Sequence, residues 1–445
     1  MPSGFVDWRE LLRPLAEELN LDIDQESDLV ACAQFHVNSS GNNRHRLHRA
    51  VIEALSADNP PTENHRLLAR LPIATWWTTN YDKLIETALK DAGKIVDVKS
   101  AVPQLADMKP RRDAVVFKMH GDVDRPDEAV VTRDDYERYG QDRGAFINAL
   151  AGDLVTKTFL FLGFSFTDPN LEQVLTRVRL TFKTNQRRHY AIFRMRTKLP
   201  HESDEAFAHA HARQALVLQD LLRFNIQAIL VDEYSDITKI LAEFERRYRR
   251  QTIFVGAAAA SFDPWGEDAV TAFMRALGSA LVTKGMRIAT GLGLGVGNAL
   301  LTGAIESVIQ SKAGHIEDYL IIRPFPQAIA DAGERARVWD AYRQEIVGSS
   351  GIAIFLFGNK MVGTAVVPSD GMRRKFEIAQ EKGLVLLPIG ATGSIAKQLA
   401  DDLLASTTPG GVDPAALSAL ASPVTDLMTL VTPIVETIGK IREGK

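Results

Sequence analysis

Short apolar runs alternate with longer amphipathic stretches along most of this 445-residue sequence. Runs such as Ile73–Trp77 and Ala114–Phe117 are rich in branched and aromatic side chains, which is typical of buried strands. Between the runs, apolar residues recur at helical spacing. The pattern therefore predicts an α/β fold whose mostly parallel sheets are covered by helices on both faces.

The chain is predicted to begin with helices and to continue as two Rossmann-like domains, 1–250 and 251–445, without an internal sequence repeat. The predicted strands are 73–77, 114–118, 158–162, 189–193, 226–231, 252–256, 286–289, 319–322, 352–357 and 384–388. An opening helix carries Trp8, Leu11, Leu12, Leu15 and Leu19 on one face. The further helices are predicted at 26–37, 43–57, 63–70, 81–92, 144–156, 168–182, 203–224, 236–250, 265–283, 296–312, 330–347, 370–382 and 422–442.

The composition narrows the function classes. Hydrophobic residues make up 45% and charged residues 24%, as in soluble globular proteins. The net charge of -4 argues against a dedicated nucleic-acid binder, and the basic run Glu245–Arg250 is interpreted as a solvated helix end. We find no secretory signal and no bilayer-spanning apolar run, so we expect a cytoplasmic protein without membrane or nucleic-acid partners. The single cysteine, Cys32, excludes an intramolecular disulfide and a cysteine-based zinc site, and no metal site is expected.

Polar residues follow two of the predicted strands, in Thr78–Asp82 (the Asn80 segment) and Lys118–Asp122 (the His120 segment). Ligands of open α/β sheets bind beyond the carboxyl ends of the strands. The Asn80 amide can orient a water molecule or a sugar hydroxyl, and the His120 imidazole can exchange a proton at neutral pH. Asp82 is interpreted either as a ligand of a ribose hydroxyl or as an acid at a helix N-terminus.

A third polar stretch, Phe161–Asn170, also leads from a strand into a helix. Gly163 permits close approach of the backbone, and Ser165 and Asp168 can cap the helix, whose N-terminus favours phosphate. An ordinary cap followed by Pro169 explains the same residues, and capping is compatible with ligand binding.

The Asn80 segment, the His120 segment and the third stretch, in this order, resemble the sirtuin-type NAD-binding fold, and in particular its bacterial defence branch. The resemblance covers roughly the first 230 residues. It implies that Asn80 and His120 are the catalytic pair and that NAD+ is the substrate, with Asp82, Ser165, Asp168 and Asn170 as its candidate ligands. Sirtuin deacetylases carry a four-cysteine zinc module, which one cysteine cannot build, so hydrolysis of NAD+ is favoured over removal of acyl groups from lysine.

The sequence departs from the sirtuin-type pattern at its start. That fold begins with a strand and a Gly-Ala-Gly-x-Ser loop that cradles the pyrophosphate of NAD+, whereas Met1–Trp8 resembles the segment just after this loop. A misassigned start, a truncated chain and poor NAD+ binding all stay open as explanations. The pyrophosphate contacts are therefore not assigned.

The second domain contains its own glycine-rich loop, Thr290–Asn298, between a predicted strand and a helix. The loop matches neither the dinucleotide fingerprint nor the P-loop, but its place favours anion binding. We interpret the alternating Gly291, Gly293 and Gly295 as contacts to a phosphate or nucleotide, since packing alone is the weaker explanation. Arg343 and Lys360 suit phosphates and Glu377 suits ribose hydroxyls or an adenine edge, although each is also typical of a protein surface.

This domain resembles the SLOG superfamily of nucleotide-sensing domains. Its phosphoribohydrolase members carry Pro-Gly-Gly-x-Gly-Thr-x-x-Glu, of which Pro368–Glu377 keeps the glutamate and few glycines, so binding without cleavage is implied. A sirtuin-like domain followed by a SLOG domain resembles the NADase effectors of Thoeris anti-phage systems. The resemblance implies activation by a cyclic ADP-ribose isomer, made by a TIR-domain partner and held by the loop glycines, Arg343, Lys360 and Glu377. It also implies a homo-oligomer, from a dimer to a tetramer or higher.

Three functions follow from these patterns. The first is an NAD+ glycohydrolase, switched on by the cyclic nucleotide, that depletes NAD+ in anti-phage defence and needs no cofactor beyond this substrate. The second is an NAD-dependent protein deacylase. The third is a catalytically silent nucleotide-binding protein.

Overall fold

The structure is a computed structural model that describes residues 4–55, 59–164, 166, 168–183, 185–312, 314–326, 328–406 and 410–444. The chain divides into two compact units, Met1–Ala242 and Glu243–Lys445. The division falls within the helix Tyr234–Arg249 and so precedes the boundary expected near residue 250. No helix in the described ranges is both long enough and apolar enough to cross a bilayer.

Helices open the first unit, as the sequence predicts. Their bounds are α1 (Trp8–Glu18), α2 (Leu29–Ser39), α3 (His45–Leu55) and α4 (Glu63–Arg70). The Asp7 side chain caps α1 by accepting from the Glu10 N–H at 2.9 Å. Leu12 and Leu15 of α1 are fully buried in a core shared with α2 and α3. Because Tyr81 also belongs to this core, the opening helices pack against the Asn80 segment.

Parallel strands and helices then alternate through the first unit. The elements are β1 (Thr75–Thr78), α5 (Leu84–Asp91), β2 (Val96–Lys99), β3 (Ala114–Lys118), α6 (Arg133–Asp142), α7 (Gly144–Thr156), β4 (Leu160–Leu162), α8 (Pro169–Phe182), β5 (His189–Arg194), α9 (Asp204–Leu221), β6 (Ile226–Val231) and α10 (Tyr234–Arg249). They form two three-stranded parallel sheets with the orders β1-β3-β2 and β4-β5-β6. In the first sheet Thr78 pairs with Lys118, so the Asn80 and His120 segments leave the sheet side by side.

The second unit is built on one parallel sheet. Its elements are β7 (Thr252–Ala258), α11 (Glu267–Thr283), β8 (Arg287–Thr290), α12 (Gly297–Ser311), α13 (Ile316–Tyr319), β9 (Leu320–Ile322), α14 (Ala332–Gly348), β10 (Ile352–Phe357), β11 (Asn359–Val362), β12 (Ala365–Pro368), α15 (Asp370–Glu381), β13 (Val385–Pro388), α16 (Ser394–Ala405), α17 (Pro414–Ala421) and α18 (Val431–Glu443). The strand order is β13-β10-β7-β8-β9. From β7 the chain first adds strands on one side and then, from β10, on the other side. The carboxyl ends of these two strands form the switch point at which such sheets bind ligands.

The α/β class and the mostly parallel sheets are confirmed, but several elements were not predicted. Strand β2 contains Asp97 and Lys99, so it lacks the continuous apolar run by which the other strands were predicted. These two residues form a buried ion pair of 2.8 Å. Helix α6, the antiparallel hairpin β11-β12, and the helices α16 and α17 were also missed. The helix predicted at 422–442 begins later, as α18 at Val431, because a short 3-10 turn, Leu427–Leu430, precedes it. The Asp426 carboxylate caps this turn by accepting the Met428 N–H at 2.9 Å.

His189 makes the first unit sensitive to acid. The imidazole is buried at the start of β5, its Nδ1 accepts the Phe159 N–H at 3.1 Å, and burial lowers its pKa to about 4. The unfolded chain, with a histidine pKa near 6.5, therefore binds the proton more tightly, and stability falls as the pH decreases from 6.5 towards 4. Between pH 7 and pH 5 we expect a loss of about 2 kcal/mol. Thermal unfolding at both pH values should show this loss in the wild type and in His209→Ala, and a smaller one in His189→Gln.

Candidate functional site

The Asn80 and His120 segments and the start of α8 meet at one cavity of the first unit, with a volume of about 790 Å³. Asn80, Asp82, His120 and Asp168 all line it. The lining also includes residues of the N-terminal segment and of α6, among them Phe5, Trp8, Leu11, Asp28, Leu29, Arg133 and Tyr136. Four of the first-unit residues that the sequence proposed thus share one space, large enough for a cofactor-sized molecule.

His120 is held firmly at the end of β3. Gly121 has a φ of +105°, and a Cβ there would lie 3.1 Å from the Cα of Ala129, so glycine is required for the chain to turn away from the strand. The imidazole is only 4% exposed and meets the ring of Tyr136 edge-on at 5.5 Å. The backbone carbonyl of His120 accepts the Val130 N–H at 2.8 Å. The ring is therefore presented to the cavity in a fixed orientation.

Asp168 supports both His120 and the helix α8. One carboxylate oxygen lies 3.1 Å from the His120 Nε2, and the other accepts the N–H groups of Asn170 and Leu171. Burial alone would raise the pKa of Asp168, but these partners together hold it below its usual range. The Nε2 atom is buried beside this carboxylate without a well-aligned hydrogen bond. The sequence suggested the cap but not the contact with His120.

Asn80 is the exposed member of the site. Its backbone N–H donates to the Thr78 Oγ1 at 3.0 Å, which fixes the turn after β1. The side chain lines the cavity and is exposed to solvent. Asp82 also lines the cavity, while one of its carboxylate oxygens accepts the Leu84 N–H at 2.9 Å where α5 begins. Both interpretations of Asp82 thus remain compatible with its position.

The other two candidate ligands in the third stretch, Asn170 and Ser165, are not among the described residues seen to line the cavity. Asn170 lies in the first turn of α8 and is 4% exposed, and its Nδ2 is buried without a hydrogen-bond partner in the described part of the chain. Asn170 does not appear in the cavity wall. Ser165 lies outside the described residues.

The N-terminal helices contribute walls that sequence analysis did not foresee. Trp8 stacks on Tyr81, with ring centroids 6.1 Å apart, and the Tyr81 hydroxyl donates to the Val130 carbonyl at 2.7 Å. Asp28, at the start of α2, pairs with Arg133 of α6 at 2.6 Å. The sequence showed Trp8 on the apolar face of a helix, but it did not show that this face packs against Tyr81.

The glycine loop of the second unit has a packing reason. A Cβ on Gly293 would lie 1.6 Å from the Ala257 carbonyl oxygen, and one on Gly295 would lie 2.1 Å from that of Ala259. Gly295 also has a φ of +76°. The argument that packing explains these glycines poorly was therefore wrong, because the loop presses against the end of β7. Contact of the loop with phosphate stays a prediction.

Arg343 belongs to a cluster around Phe325. The guanidinium carbon lies 5.6 Å from the Phe325 ring centroid, and the Nζ of Lys375 lies 4.9 Å from it. A Cβ on Gly291 would lie 2.7 Å from the same ring. Burial lowers the pKa of Arg343, and burial together with the charge of Arg343 lowers the pKa of Lys375 to about 8. Two cations that share one ring in a partly desolvated place attract anions.

Lys360 and Glu377 differ in their relation to this cluster. Lys360 pairs at 2.6 Å with Asp370, which begins α15, and Gly371 follows beside the Arg343 guanidinium. Glu377 pairs with Arg374 at 3.3 Å and lies about 9 Å further along the axis of α15 than Gly371. The structure thus brings Gly291, Arg343 and Lys360 near the start of α15, and places Glu377 in a surface ion pair. Sequence analysis missed Phe325 and Lys375.

Comparisons with known proteins agree with both halves of the chain. Residues 74–214 match the model of the SIR2-like domain family. Residues 236–442 match the model of the Sir2- and TIR-associating SLOG family. The first match contains Asn80, His120 and Asp168, and the second contains Arg343 and Lys360.

Named relatives cover most of the chain. A protein named NAD(+) hydrolase ThsA from Acinetobacter baumannii (strain 532279) is 46% identical over 409 residues, which is 91% of this chain and 85% of the relative. The protein of the same name from Bacillus cereus (strain MSX-D12) is 44% identical over 90% of this chain and 83% of the relative. Defense-associated sirtuin 2 from Bacillus subtilis is 32% identical over 27% of this chain and 12% of the relative.

Proposed function

Because this chain belongs to the ThsA family of NAD(+) hydrolases, we propose that it cleaves the nicotinamide–ribose bond of NAD+ in the cavity of its first unit. The observation that carries the proposal is the meeting of Asn80, His120 and Asp168 at one cavity. Depletion of NAD+ in anti-phage defence is the proposed outcome. The similarity to a defence-associated sirtuin supports it.

Cleavage of the nicotinamide–ribose bond requires little acid catalysis from the protein. Nicotinamide leaves as a neutral molecule from a cationic pyridinium, and the difficult parts are an oxocarbenium-like ribose and the delivery of water. His120 acts as the general base towards the water or a ribose hydroxyl, a contribution of roughly 10²–10⁴ in rate. Asn80 positions that water or the ribose, and the carboxylate of Asp168 stabilises the imidazole when it gains a proton.

The second unit is proposed to bind the activator, a cyclic ADP-ribose isomer made by a TIR-domain protein. The match to a Sir2- and TIR-associating family supports this role, and the Phe325 cluster supplies the recognition. Arg343 and Lys375 would hold the phosphates, with Lys360 and the loop of Gly291 beside them. The activator must favour the active arrangement of the first unit by its differential affinity. We further propose that the protein acts as a cytoplasmic homo-oligomer.

Activator binding should weaken as the pH rises through about 8, the pKa to which burial lowers Lys375. Only the protonated amine attracts a pyrophosphate, so the contribution of Lys375 to the affinity is present below this pH and lost above it, while that of Arg343 remains. Titration calorimetry from pH 7 to pH 9 with an activating cyclic ADP-ribose isomer tests this. The decrease of affinity with pH should be smaller in Lys375→Gln and unchanged in Lys382→Gln, which alters the residue just after the end of α15. An equal slope in wild type and Lys375→Gln would contradict the assignment.

One product analysis separates the three candidate functions. Purified full-length protein is incubated with NAD+ and cyclic ADP-ribose isomers, with and without an acetyl-lysine peptide. A hydrolase yields nicotinamide and ADP-ribose in both reactions. Nicotinamide that appears only with the peptide, together with deacetylated peptide, would identify a deacylase, and no turnover in either reaction would identify a silent binding protein.

A further inference from the structure

A fully buried lysine ties together the two segments that carry Asn80 and His120. Lys118, at the end of β3, has 0% of its side chain exposed. Its Nζ donates to the carbonyl oxygens of Tyr81 at 3.0 Å and Asp82 at 2.5 Å, and to the Glu86 Oε1 at 3.0 Å. These three oxygens belong to the turn after β1 and to α5.

The same ammonium group also holds the turn that follows His120. An Asp122 carboxylate oxygen lies 2.7 Å from Nζ, and the other oxygen accepts the Asp124 N–H at 2.9 Å. Asn80 directly precedes Tyr81 and Asp82, whose carbonyls accept from Nζ, and His120 lies between Lys118 and Asp122. The Lys118 ammonium thus joins the two segments from inside, beside the Val123 N–H that donates to the Tyr81 carbonyl at 3.0 Å.

Two carboxylates share this one cation, and their roles differ. Burial raises the pKa of Glu86, although Lys118 opposes the rise, and the Glu86 Oε2 is buried without a hydrogen-bond partner in the described ranges. Asp122 is engaged at both oxygens. Removing the lysine alone would leave buried carboxylates without a counter-charge, which destabilises proteins strongly. A test variant must therefore also neutralise Glu86.

We propose that Lys118 is a positioning residue of the NAD+-cleaving site, which keeps Asn80 and His120 at the separation needed to act on one ribose. The proposal rests on the proposed hydrolase function. Lys118 does not line the cavity and acts only through the two segments. A displacement of about 1 Å in a catalytic group can cost about 100-fold in rate, so loosening this junction should lower kcat much more than it weakens NAD+ binding.

The neighbouring strand supplies a matched control. Lys99, at the end of β2, is 4% exposed and pairs with Asp97 at 2.8 Å, but contacts neither the Asn80 nor the His120 segment. Lys99→Met therefore removes a buried lysine and its ion pair from the same sheet without touching the proposed junction. Any loss that comes only from weakening the sheet should appear in both variants.

The experiment measures kcat and KM for nicotinamide release by the activated full-length protein, together with the thermal midpoint. We expect Lys118→Met/Glu86→Gln to lower kcat 10- to 100-fold with KM changed less than threefold, and Lys99→Met to keep kcat. Added to His120→Ala, the double change should cost less activity than it does in the wild-type background, because the part of its effect that passes through His120 is already lost.

The outcomes separate two failures. Unchanged kcat in a folded Lys118→Met/Glu86→Gln protein, a kcat loss equal to that of Lys99→Met, or full additivity with His120→Ala would each overturn the role of Lys118. If the double variant does not fold, Lys118→Arg, which keeps the charge but not the point geometry, must show the same kcat loss for the role to stand. No turnover by the wild type would instead overturn the proposed hydrolase function.

Discussion

Replacing His120 by alanine is expected to lower kcat for nicotinamide release by roughly 10²–10⁴, while NAD+ affinity changes only a few-fold. His120 is the only histidine in the described cavity wall. It is buried, set edge-on to Tyr136 and backed by Asp168 at 3.1 Å, so its loss removes both the base and its oriented geometry. Nicotinamide release measures kcat, and titration calorimetry with NAD+ measures affinity.

A matched histidine controls for this substitution. His209 is exposed on α9 and does not line the cavity, so His209→Ala should keep the rate of the wild type. Asn80→Ala should also lower the rate of nicotinamide release, since Asn80 and His120 act on the same ribose. Equal turnover in wild type, His120→Ala and His209→Ala, with all three proteins folded, would remove the catalytic assignment.

Replacing Arg343 by alanine is expected to abolish activation while leaving the protein folded. Its guanidinium lies over both Phe325 and Trp339, at 5.6 Å and 5.9 Å from the ring centroids, and an Asp340 oxygen is 4.0 Å away. Charge-assisted bonds from such a group to phosphate contribute roughly 1.5–3 kcal/mol each. Loss of two of them would weaken activator binding by more than 100-fold, as measured by calorimetry with a cyclic ADP-ribose isomer.

The same helix offers the control for Arg343. Arg337 is exposed on α14, and Arg337→Ala removes an equal charge outside the Phe325 cluster. Activation should persist in this variant. Full activator affinity in Arg343→Ala, or an equal loss in Arg337→Ala, would contradict the proposed binding mode.

The sequence revealed the parts of the fold that depend on local pattern. Apolar runs such as Ala114–Phe117 and Ile352–Phe357 predicted buried parallel strands, and both lie inside their sheets. Because ligands bind beyond strand ends, Asn80 and His120 were expected at one site, and both line one cavity.

Contacts between segments that are distant in the chain could not be predicted from the sequence. The pairing of His120 with Asp168 and the bonds from Lys118 to the Asn80 segment join residues that no local period connects. The glycines of the second loop were misinterpreted, because their cause is a backbone carbonyl of β7 that only the folded chain brings near. Lys375 was overlooked since a lysine on an amphipathic helix usually faces solvent, whereas this one lies over Phe325.

The decisive measurement is nicotinamide release from NAD+ by the full-length wild-type protein, with and without cyclic ADP-ribose isomers. We expect release together with equimolar ADP-ribose when an activating isomer is present, and little release without it. Absence of release with every isomer would contradict hydrolysis at the Asn80–His120 cavity, and equal release without any isomer would contradict control by the second unit.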